Sequence, residues 1–219
     1  MDWVRTLEIR TGVTAVIGGG GKTTLLRTLG EELAEAGCKV LLCTTTKIFP
    51  FEGMPCVTEK GEDALLAARA RSGLVCAGTL LNNGKLTAPA VPMARLEALF
   101  DYVLVEADGS AHLPLKAHAP HEPVIPAEAS QTICVVGASG FGKPIQEAAH
   151  RPELYAALAG AAATDIVTPK LVAAALKTEN LHHRVLVNQA ELAVFEAKEL
   201  VILLDGPAVA GSLKLGRIF

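Results

Sequence analysis

One short segment constrains this chain more than any other, because it contains four consecutive glycines followed by a lysine and two threonines, at Gly18–Thr24. The apolar, β-branched run Val13–Ile17 precedes it and predicts a buried strand. The residues that follow, Thr24–Ala36, have the pattern of a helix, and Gly37 is typical of a helix C-terminus. A strand that leads through glycines into a helix is the local context of a phosphate-binding loop.

The residue types in this loop suit a nucleoside triphosphate bound to Mg²⁺. Phosphate oxygens need several backbone N–H donors at close range, and side chains would block that approach. The helix N-terminus adds partial positive charge, the lysine can bridge the β- and γ-phosphates, and the first threonine hydroxyl can ligate Mg²⁺. The predicted nucleotide-binding residues of the loop are Gly18, Gly19, Gly20, Gly21, Lys22, Thr23 and Thr24, with Lys22 also catalytic and Thr23 also a metal ligand.

The loop departs from the strict pattern G-x-x-x-x-G-K-[ST], because Val16 occupies the first glycine position. It is more similar to the deviant Walker A loop K-G-G-x-G-K-T. In that loop the first lysine reaches the nucleotide of a dimer partner, but here Ile17 replaces it. This replacement argues against an intersubunit lysine finger. The alternative to a phosphate site is a glycine-rich turn without a ligand.

A second apolar run, Tyr102–Glu106, has the character of a Walker B strand. Parallel strands of such a sheet end near the phosphates, so Glu106 is predicted to hold Mg²⁺ through water. Asp108 lies two residues further and should point to the same face, where it would orient the attacking water or a switch loop. Gly109 would let that loop move with the γ-phosphate. A solvated strand end is the alternative.

Two other strand ends carry candidate ligands. Arg184–Val187 leads into Asn188-Gln189-Ala190-Glu191, which is similar to the N-K-x-D element that binds guanine in GTPases. Asn188 and Glu191 are therefore predicted to bind the base, although an ordinary strand end is an equal alternative and both GTP and ATP stay open. The second strand, Lys39–Cys43, ends in a run whose hydroxyls and ammonium suit an anionic substrate or a γ-phosphate sensor. That run consists of Thr44, Thr45, Thr46 and Lys47.

Strands alternate with helices along the chain, which predicts an α/β fold of the P-loop NTPase type, with three α/β/α layers and a mostly parallel sheet. The 219 residues suit one domain, 1–219. Two segments of it stand out, a Pro/His-rich loop at 109–130 and an Ala-rich helical segment at 144–177.

Composition excludes several classes of partner. The net charge is −3 and no basic stripe is present, which argues against nucleic acid. No apolar stretch is long enough for a membrane span, and the N-terminus lacks a signal-peptide pattern. The five cysteines are scattered without a C-x-x-C pair, which favours small buried side chains in a reducing compartment. We therefore expect a cytoplasmic protein.

Seven motifs occur together along most of the chain. They are Gly-Gly-Gly-Gly-Lys-Thr-Thr at 18–24, Thr-Thr-Thr-Lys at 44–47, Glu-Ala-Asp-Gly-Ser at 106–110, Leu-Pro-Leu-Lys-Ala-His at 113–118, Glu-Pro-Val-Ile-Pro at 122–126, Val-Thr-Pro at 167–169 and Asn-Gln-Ala-Glu at 188–191. This set resembles the YqeC-like family of selenium-dependent molybdenum hydroxylase accessory proteins. The resemblance implies a role in maturing a selenium-containing centre, with a molybdenum hydroxylase or its maturation machinery as partner. The glutamate at the Walker B position also resembles GTPase metallochaperones.

The Pro/His-rich loop offers a further set of candidate ligands. His112, His118 and His121 could bind a metal, and Lys116 could bind an oxyanion such as selenophosphate or molybdate. The loop has no cysteine and its spacing matches no tight metal signature, so ordinary loop histidines are the alternative. The candidate substrate or switch residues are then Thr44, Thr45, Thr46, Lys47, Lys116 and His118.

Three functional hypotheses follow. The first is Mg²⁺-dependent binding and slow hydrolysis of GTP or ATP in the maturation of selenium-dependent molybdenum hydroxylases. The second is a small-molecule kinase or nucleotidyl transferase that acts on a selenium or pterin compound. The third is a non-catalytic interaction module that retains a nucleotide for stability. Hydrolysis without an acceptor, strict dependence on an acceptor, and binding without turnover distinguish them.

Overall fold

The computed structural model describes residues 1–219 and contains a nine-stranded sheet. Neighbouring strands in it are parallel, except that the two C-terminal strands, Ala208–Ser212 and Arg217–Ile218, pair antiparallel at one edge. The order across the sheet is β13 (Arg217–Ile218), β12 (Ala208–Ser212), β11 (Arg184–Asn188), β9 (Ala129–Gly137), β1 (Gly12–Gly18), β7 (Tyr102–Glu106), β2 (Val40–Thr44), β4 (Leu74–Ala77) and β3 (Cys56–Val57).

Two small sheets lie outside the main one. An antiparallel pair joins β5 (Thr79–Leu80) to β6 (Leu86–Thr87), and a parallel pair joins β8 (Leu115–Lys116) to β10 (Ala149–His150). The helices are α1 (Trp3–Thr6), α2 (Lys22–Glu35), α3 (Glu62–Arg71), α4 (Met93–Leu99), α5 (Ile145–Ala148), α6 (Pro152–Ala159), α7 (Pro169–Glu179) and α8 (Val194–Leu204), with 3₁₀ turns at Ala138–Gly140 and Ala190–Leu192.

Helices cover both faces of the sheet, so the central strands are buried on both sides. Along β1, Ala15 and Ile17 point into the cluster formed with α5–α8, whereas Val16 points into the cluster formed with α1 and α2. Helices α3 and α4 pack over the other half of the first face through Leu65 and Leu96. The predicted three-layer α/β/α architecture is therefore confirmed.

Several element boundaries differ from the sequence predictions for local reasons. The helical segment at 144–177 is interrupted over 160–168, because Gly160 ends α6 in a left-handed conformation and Thr168 caps the start of α7. The loop predicted at 109–130 contains β8 and ends where β9 begins at Ala129. At the C-terminal end of the chain, β13 pairs outside β12 and forms the edge of the sheet.

The N-terminal helix α1 was not predicted from the sequence, and it connects the two ends of the chain. Asp2 caps α1 by accepting a hydrogen bond from the Arg5 N–H group at 2.8 Å. Trp3 is 1% exposed and packs against Gly211 in β12, where an added Cβ would lie 2.4 Å from the indole ring. No helix is both long and apolar enough to cross a membrane.

Candidate functional site

The glycine-rich loop lies between the end of β1 and the start of α2, and its backbone excludes side chains. Gly20 has φ +78°, and a Cβ there would lie 2.3 Å from the Gly137 Cα atom. Gly21 has φ +129°, and its Cβ would lie 2.4 Å from the Asn188 Nδ2 atom. Glycine is therefore required at both positions by conformation and by contact.

The loop also leaves backbone donors without protein acceptors. The Gly20 and Gly21 N–H groups make no hydrogen bond within the protein. The N–H groups in the first turn of α2 have no intrahelical acceptor, which is the general property of helix N-termini. These donors belong to consecutive residues and carry the positive end of the helix dipole, so together they can bind an anion.

Lys22 is buried beneath the loop and lies against a buried carboxylate. Its side chain is 4% exposed, and its Nζ atom donates to the Gly18 carbonyl oxygen at 2.7 Å. The same Nζ atom lies 3.1 Å from Asp108 Oδ1. The other carboxylate oxygen of Asp108 accepts a hydrogen bond from the Gly18 N–H group at 2.8 Å. The lysine that is predicted to bind phosphate is therefore held by Asp108 in this conformation.

A histidine extends this buried network to the helical layer. His118 Nε2 lies 2.6 Å from Asp108 Oδ2, and His118 Nδ1 lies 2.9 Å from Glu179 Oε2 at the end of α7. The His118 backbone N–H group also donates to Glu179 at 2.6 Å. With a carboxylate at each ring nitrogen, the imidazolium can donate to both. We call Lys22, Asp108, His118 and Glu179 the buried relay.

Within the buried relay, neighbouring opposite charges stabilise the charged forms of Asp108 and His118, which burial alone would destabilise. Burial alone would lower the pKa of His118, but its hydrogen bonds to Asp108 and Glu179 outweigh burial and raise that pKa. Burial alone would raise the pKa of Asp108, but the hydrogen bond from His118 and the charge of Lys22 lower it. Both groups are therefore stabilised in their charged forms.

Glu106 and Thr23 form a second polar pair beside the loop. The Thr23 hydroxyl donates to Glu106 Oε2 at 2.8 Å, and the glutamate is 7% exposed. Burial raises the pKa of Glu106, although Lys22 and the Thr23 hydrogen bond partly oppose that shift. The exposed Thr23 hydroxyl and the buried Glu106 carboxylate are oxygen ligands of the kind that Mg²⁺ binds, and a divalent cation would offset the charge of the carboxylate.

The structure brings Asn188 to the loop, but in a supporting position. Its Nδ2 atom donates to the Gly20 carbonyl oxygen at 2.8 Å, and its Oδ1 atom accepts from the Leu213 N–H group at 3.0 Å. Both ends of the amide are therefore used to hold the loop against the C-terminal segment. Glu191 lies in the 3₁₀ turn that follows, and its Oε2 atom is buried without a hydrogen-bond partner.

The threonine run at the end of β2 is largely committed to the backbone. The Thr44 hydroxyl donates to the Glu106 carbonyl oxygen at 2.7 Å, and the Thr45 hydroxyl donates to the Val124 carbonyl oxygen at 2.7 Å. These bonds join the second strand to the acidic strand and to the loop after it. Thr46 is half-buried and Lys47 is exposed, so these two residues stay candidates for substrate contact.

Lys116 corrects an expectation from the sequence. Its Nζ atom donates to the Gly109 carbonyl oxygen at 2.6 Å and to Glu122 Oε2 at 2.8 Å, and its side chain is fully buried. Arg151 contacts the same Glu122 oxygen at 3.1 Å. Lys116 is therefore a structural cation that fixes the Pro/His-rich loop, because its charge and donors are already satisfied. His118 is likewise a buried structural group rather than an open ligand.

The three loop histidines do not form one site. His112 and His121 are exposed, whereas the His118 side chain is 2% exposed. No group of three or more His, Cys, Asp or Glu side chains is arranged to hold a metal ion. Sequence reasoning missed Glu179, which lies 61 residues from His118 along the chain and ends a helix with no motif of its own.

The fold and the loop define the class of protein. A glycine-rich loop joins a central parallel strand to a helix, and the adjacent strand ends in a buried glutamate beside the loop threonine. These features are those of a P-loop NTPase-like α/β protein.

The family follows from comparison with known sequences. The family model described as "YqeC protein" matches residues 14–153, and the chain belongs to this family. A curated relative, the uncharacterized protein YqeC of Escherichia coli (strain K12), is 36% identical over 158 residues, which cover 69% of this chain. The match spans 62% of the length of that relative.

Two solved structures are also similar in outline. The hydrogenase maturation factor HypB from Archaeoglobus fulgidus has a TM-score of 0.46 at 15% identity, covering 98% of this chain and 86% of that one. HypB from Helicobacter pylori, in complex with nickel, has a TM-score of 0.42 at 12% identity, covering 96% and 82%. At these scores neither likeness bears on the function of this chain.

Replacing the relay histidine should destabilise the protein strongly. We expect His118→Leu to lower the free energy of unfolding by about 3 kcal/mol or more, because two buried carboxylates lose their common partner. The control His121→Leu changes an exposed side chain and should stay within about 0.5 kcal/mol. Urea denaturation of both variants and the wild type measures the difference.

The difference in the free energy of unfolding between the wild type and His118→Leu should also depend on pH. The pKa of His118 is raised in the folded state, so its contribution is complete below its usual value of 6.5 and is lost as the pH rises through the folded pKa. The advantage of the wild type over His118→Leu should therefore shrink towards alkaline pH. An advantage that grows with pH would contradict the charged state assigned to His118.

Proposed function

We propose that this protein binds a Mg²⁺-nucleoside triphosphate at Gly18–Thr24 and hydrolyses it slowly, as an accessory factor in the maturation of selenium-dependent molybdenum hydroxylases. The observation that carries the nucleotide site is the set of unpaired loop N–H groups beside Lys22 and Thr23. The maturation role is supported by membership of the YqeC family and by the motif resemblance described above.

The residues of the loop fit a triphosphate. The N–H groups of Gly20, Gly21 and the first turn of α2 would donate hydrogen bonds to phosphate oxygens without any change in backbone path. Lys22 would leave the Gly18 carbonyl oxygen and donate to phosphate, where its charge stabilises the negative charge that develops during transfer. Glycines at the contact positions keep Cβ atoms out of this space.

The residues beside the loop fit Mg²⁺. Thr23 and Glu106 offer a hydroxyl oxygen and a carboxylate oxygen 2.8 Å apart, and Glu106 is a buried acid with a raised pKa. When bound, Mg²⁺ would neutralise phosphate charge and hold the β- and γ-phosphates. Thr23 would ligate the cation directly, and Glu106 would orient its water ligands.

The position of Asp108 supports slow turnover. Its carboxylate is fully buried and contacts Lys22, Gly18 and His118, so it does not face solvent in this conformation. An attacking water oriented by Asp108, as the sequence predicts, would require movement of the loop that starts at Gly109. In the conformation described here Asp108 is a positioning residue for Lys22.

Removing the loop lysine tests the nucleotide site. We expect Lys22→Ala to weaken binding of Mg²⁺-GTP and Mg²⁺-ATP by about 10- to 100-fold or more, because charge-assisted hydrogen bonds to phosphate are lost. The double variant Lys22→Ala with Asp108→Asn should show the same loss without an unpaired buried charge. Titration calorimetry measures affinity, and phosphate release without an acceptor measures hydrolysis.

An exposed lysine on α7 provides the matched control. Lys170→Ala should bind and hydrolyse like the wild type. Wild-type affinity in both Lys22 variants would overturn the assignment of the loop. If the triphosphate is consumed only when an acceptor is added, the reaction is group transfer to that acceptor and not hydrolysis.

Glu106→Gln tests the metal role separately from the fold. Glutamine still accepts the Thr23 hydrogen bond and removes a buried charge, so the Tm of the nucleotide-free protein should stay equal or rise. The gain in nucleotide affinity on adding Mg²⁺ should fall by about tenfold or more. The control Glu35→Gln lies on the exposed end of α2 and should keep the full Mg²⁺ response. An unchanged response in Glu106→Gln removes this residue from the metal site.

The unpaired Glu191 oxygen favours guanine as the base. A buried carboxylate oxygen without a donor would gain the N1 and N2 donors of guanine, which adenine lacks at that edge. An unpaired buried acceptor costs about 1–3 kcal/mol, so GTP should compete about 10- to 100-fold better than ATP. Glu191→Ala should erase the preference by weakening GTP alone, and the exposed control Glu196→Ala should keep it. Competition titrations that show an ATP preference would place base recognition elsewhere.

A further inference from the structure

Two cysteines at the outer edge of the main sheet lie side by side. Cys56 in β3 is the direct register partner of Cys76 in β4, and the two strands are parallel. Neighbouring strands lie about 4.8 Å apart, and the Cα atoms of a disulfide lie about 4.4–6.8 Å apart. The backbone therefore holds these two residues at a separation that a disulfide can span, although 19 residues separate them in the sequence.

The backbone on both sides of the pair keeps this register. The Cys76 N–H group donates to the Pro55 carbonyl oxygen at 2.8 Å, and the Gly78 N–H group donates to the Val57 carbonyl oxygen at 3.1 Å. These bonds bracket the pair on the edge strand. The two thiols therefore do not depend on a chance approach of two flexible segments.

The two thiols differ in their access to solvent. Cys56 is exposed on the edge strand, whereas Cys76 is fully buried. A reagent from solvent can reach the first sulfur and not the second. The expectation that all cysteines are small buried side chains is therefore wrong for Cys56, because β3 is the outermost strand and leaves it uncovered.

We propose that Cys56 and Cys76 are a redox-active thiol pair, in which Cys56 reacts with a hydroperoxide and Cys76 then closes an intramolecular disulfide. The Cys56 thiolate attacks one peroxide oxygen, the O–O bond breaks, and the leaving oxygen takes a proton. Cys76 sulfur attacks the Cys56 sulfenic acid, the S–O bond breaks, and hydroxide leaves with the Cys76 proton as water. Two thiols and one hydrogen peroxide thus give one disulfide and two waters.

The electrostatics of the pair support this division of roles. A hydrogen bond from the Cys76 thiol favours the thiolate form of Cys56 and lowers the pKa of Cys56 to about 7. Burial has a smaller effect that raises the pKa of Cys56. The same interaction and burial raise the pKa of Cys76. Burial also raises the pKa of Cys43 to about 12, so the next cysteine inward is unreactive. Cys56 is therefore the nucleophile and Cys76 the resolving residue.

The disulfide would fix to the main sheet a segment that contacts α2, the helix that follows the glycine-rich loop. The segment before β3 contains the buried Phe51, and the Arg27 guanidinium of α2 donates to the Glu52 carbonyl oxygen at 2.6 Å. The Arg27 guanidinium also lies 5.9 Å from the Phe51 ring centroid. A bond between β3 and β4 would hold this segment on the sheet.

Peroxide titration of the full chain tests the proposal. The reduced protein is treated with about one equivalent of hydrogen peroxide, and its tryptic peptides are analysed without reduction. We expect the peptides that contain Cys56 and Cys76 to be joined, with a mass about 2 Da below their sum. Cys38→Ser is the matched control, because Cys38 is half-buried, and it should give the same bridge.

The single variants assign the two roles. In Cys76→Ala the Cys56 sulfur should be trapped by dimedone as sulfenic acid, and in Cys56→Ser the Cys76 thiol should stay reduced. Because Cys56 is exposed, the Cys56→Ser result stands even if Cys76→Ala folds poorly. The proposal is overturned if wild-type Cys56 goes to sulfinic acid without a bridge, if Cys38 is oxidised first, or if only intermolecular disulfides form. None of these outcomes depends on nucleotide binding.

Discussion

The ion pair between Lys22 and Asp108 is the interaction on which the rest of the site depends. Two opposite charges, 4% and 0% exposed, lie 3.1 Å apart beneath a loop of glycines. A buried charge without a partner would cost several kcal/mol, so each side chain requires the other. The same carboxylate accepts a hydrogen bond from Gly18 and contacts His118. One aspartate therefore joins the phosphate loop, the acidic strand and the helical layer.

This arrangement connects the loop with a distant helix in physical terms. A phosphate that draws Lys22 away from Asp108 removes one of the two cations that stabilise that carboxylate. The remaining cation is His118, whose other nitrogen contacts Glu179 at the end of α7. Loss of the Lys22 contact would therefore leave His118 as the cation shared by Asp108 and Glu179.

Local sequence signals predicted the elements whose patterns are strong. The runs Val13–Ile17 and Tyr102–Glu106 form strands whose bounds agree with the prediction to within one residue, because both are continuous apolar runs with clear ends. The short helix α1 escaped prediction, since four residues carry too little periodicity and the burial of Trp3 depends on tertiary contacts with α2 and β12. The interruption at 160–168 follows from Gly160 and Thr168, which break an otherwise uniform Ala-rich pattern.

The sequence by itself determined the glycine-rich loop between strand and helix, the acidic strand and the α/β class, because each depends on contiguous residues and on spacing along one chain. The tertiary structure alone decided what the polar side chains do. Lys116 and His118 carry the chemistry of open ligands, yet both are buried against carboxylates that lie 6 and 61 residues away. Cys56 and Cys76 have no motif, and only strand register places them together. Burial and partners are properties of the folded chain, and they set the charge and reactivity of each group.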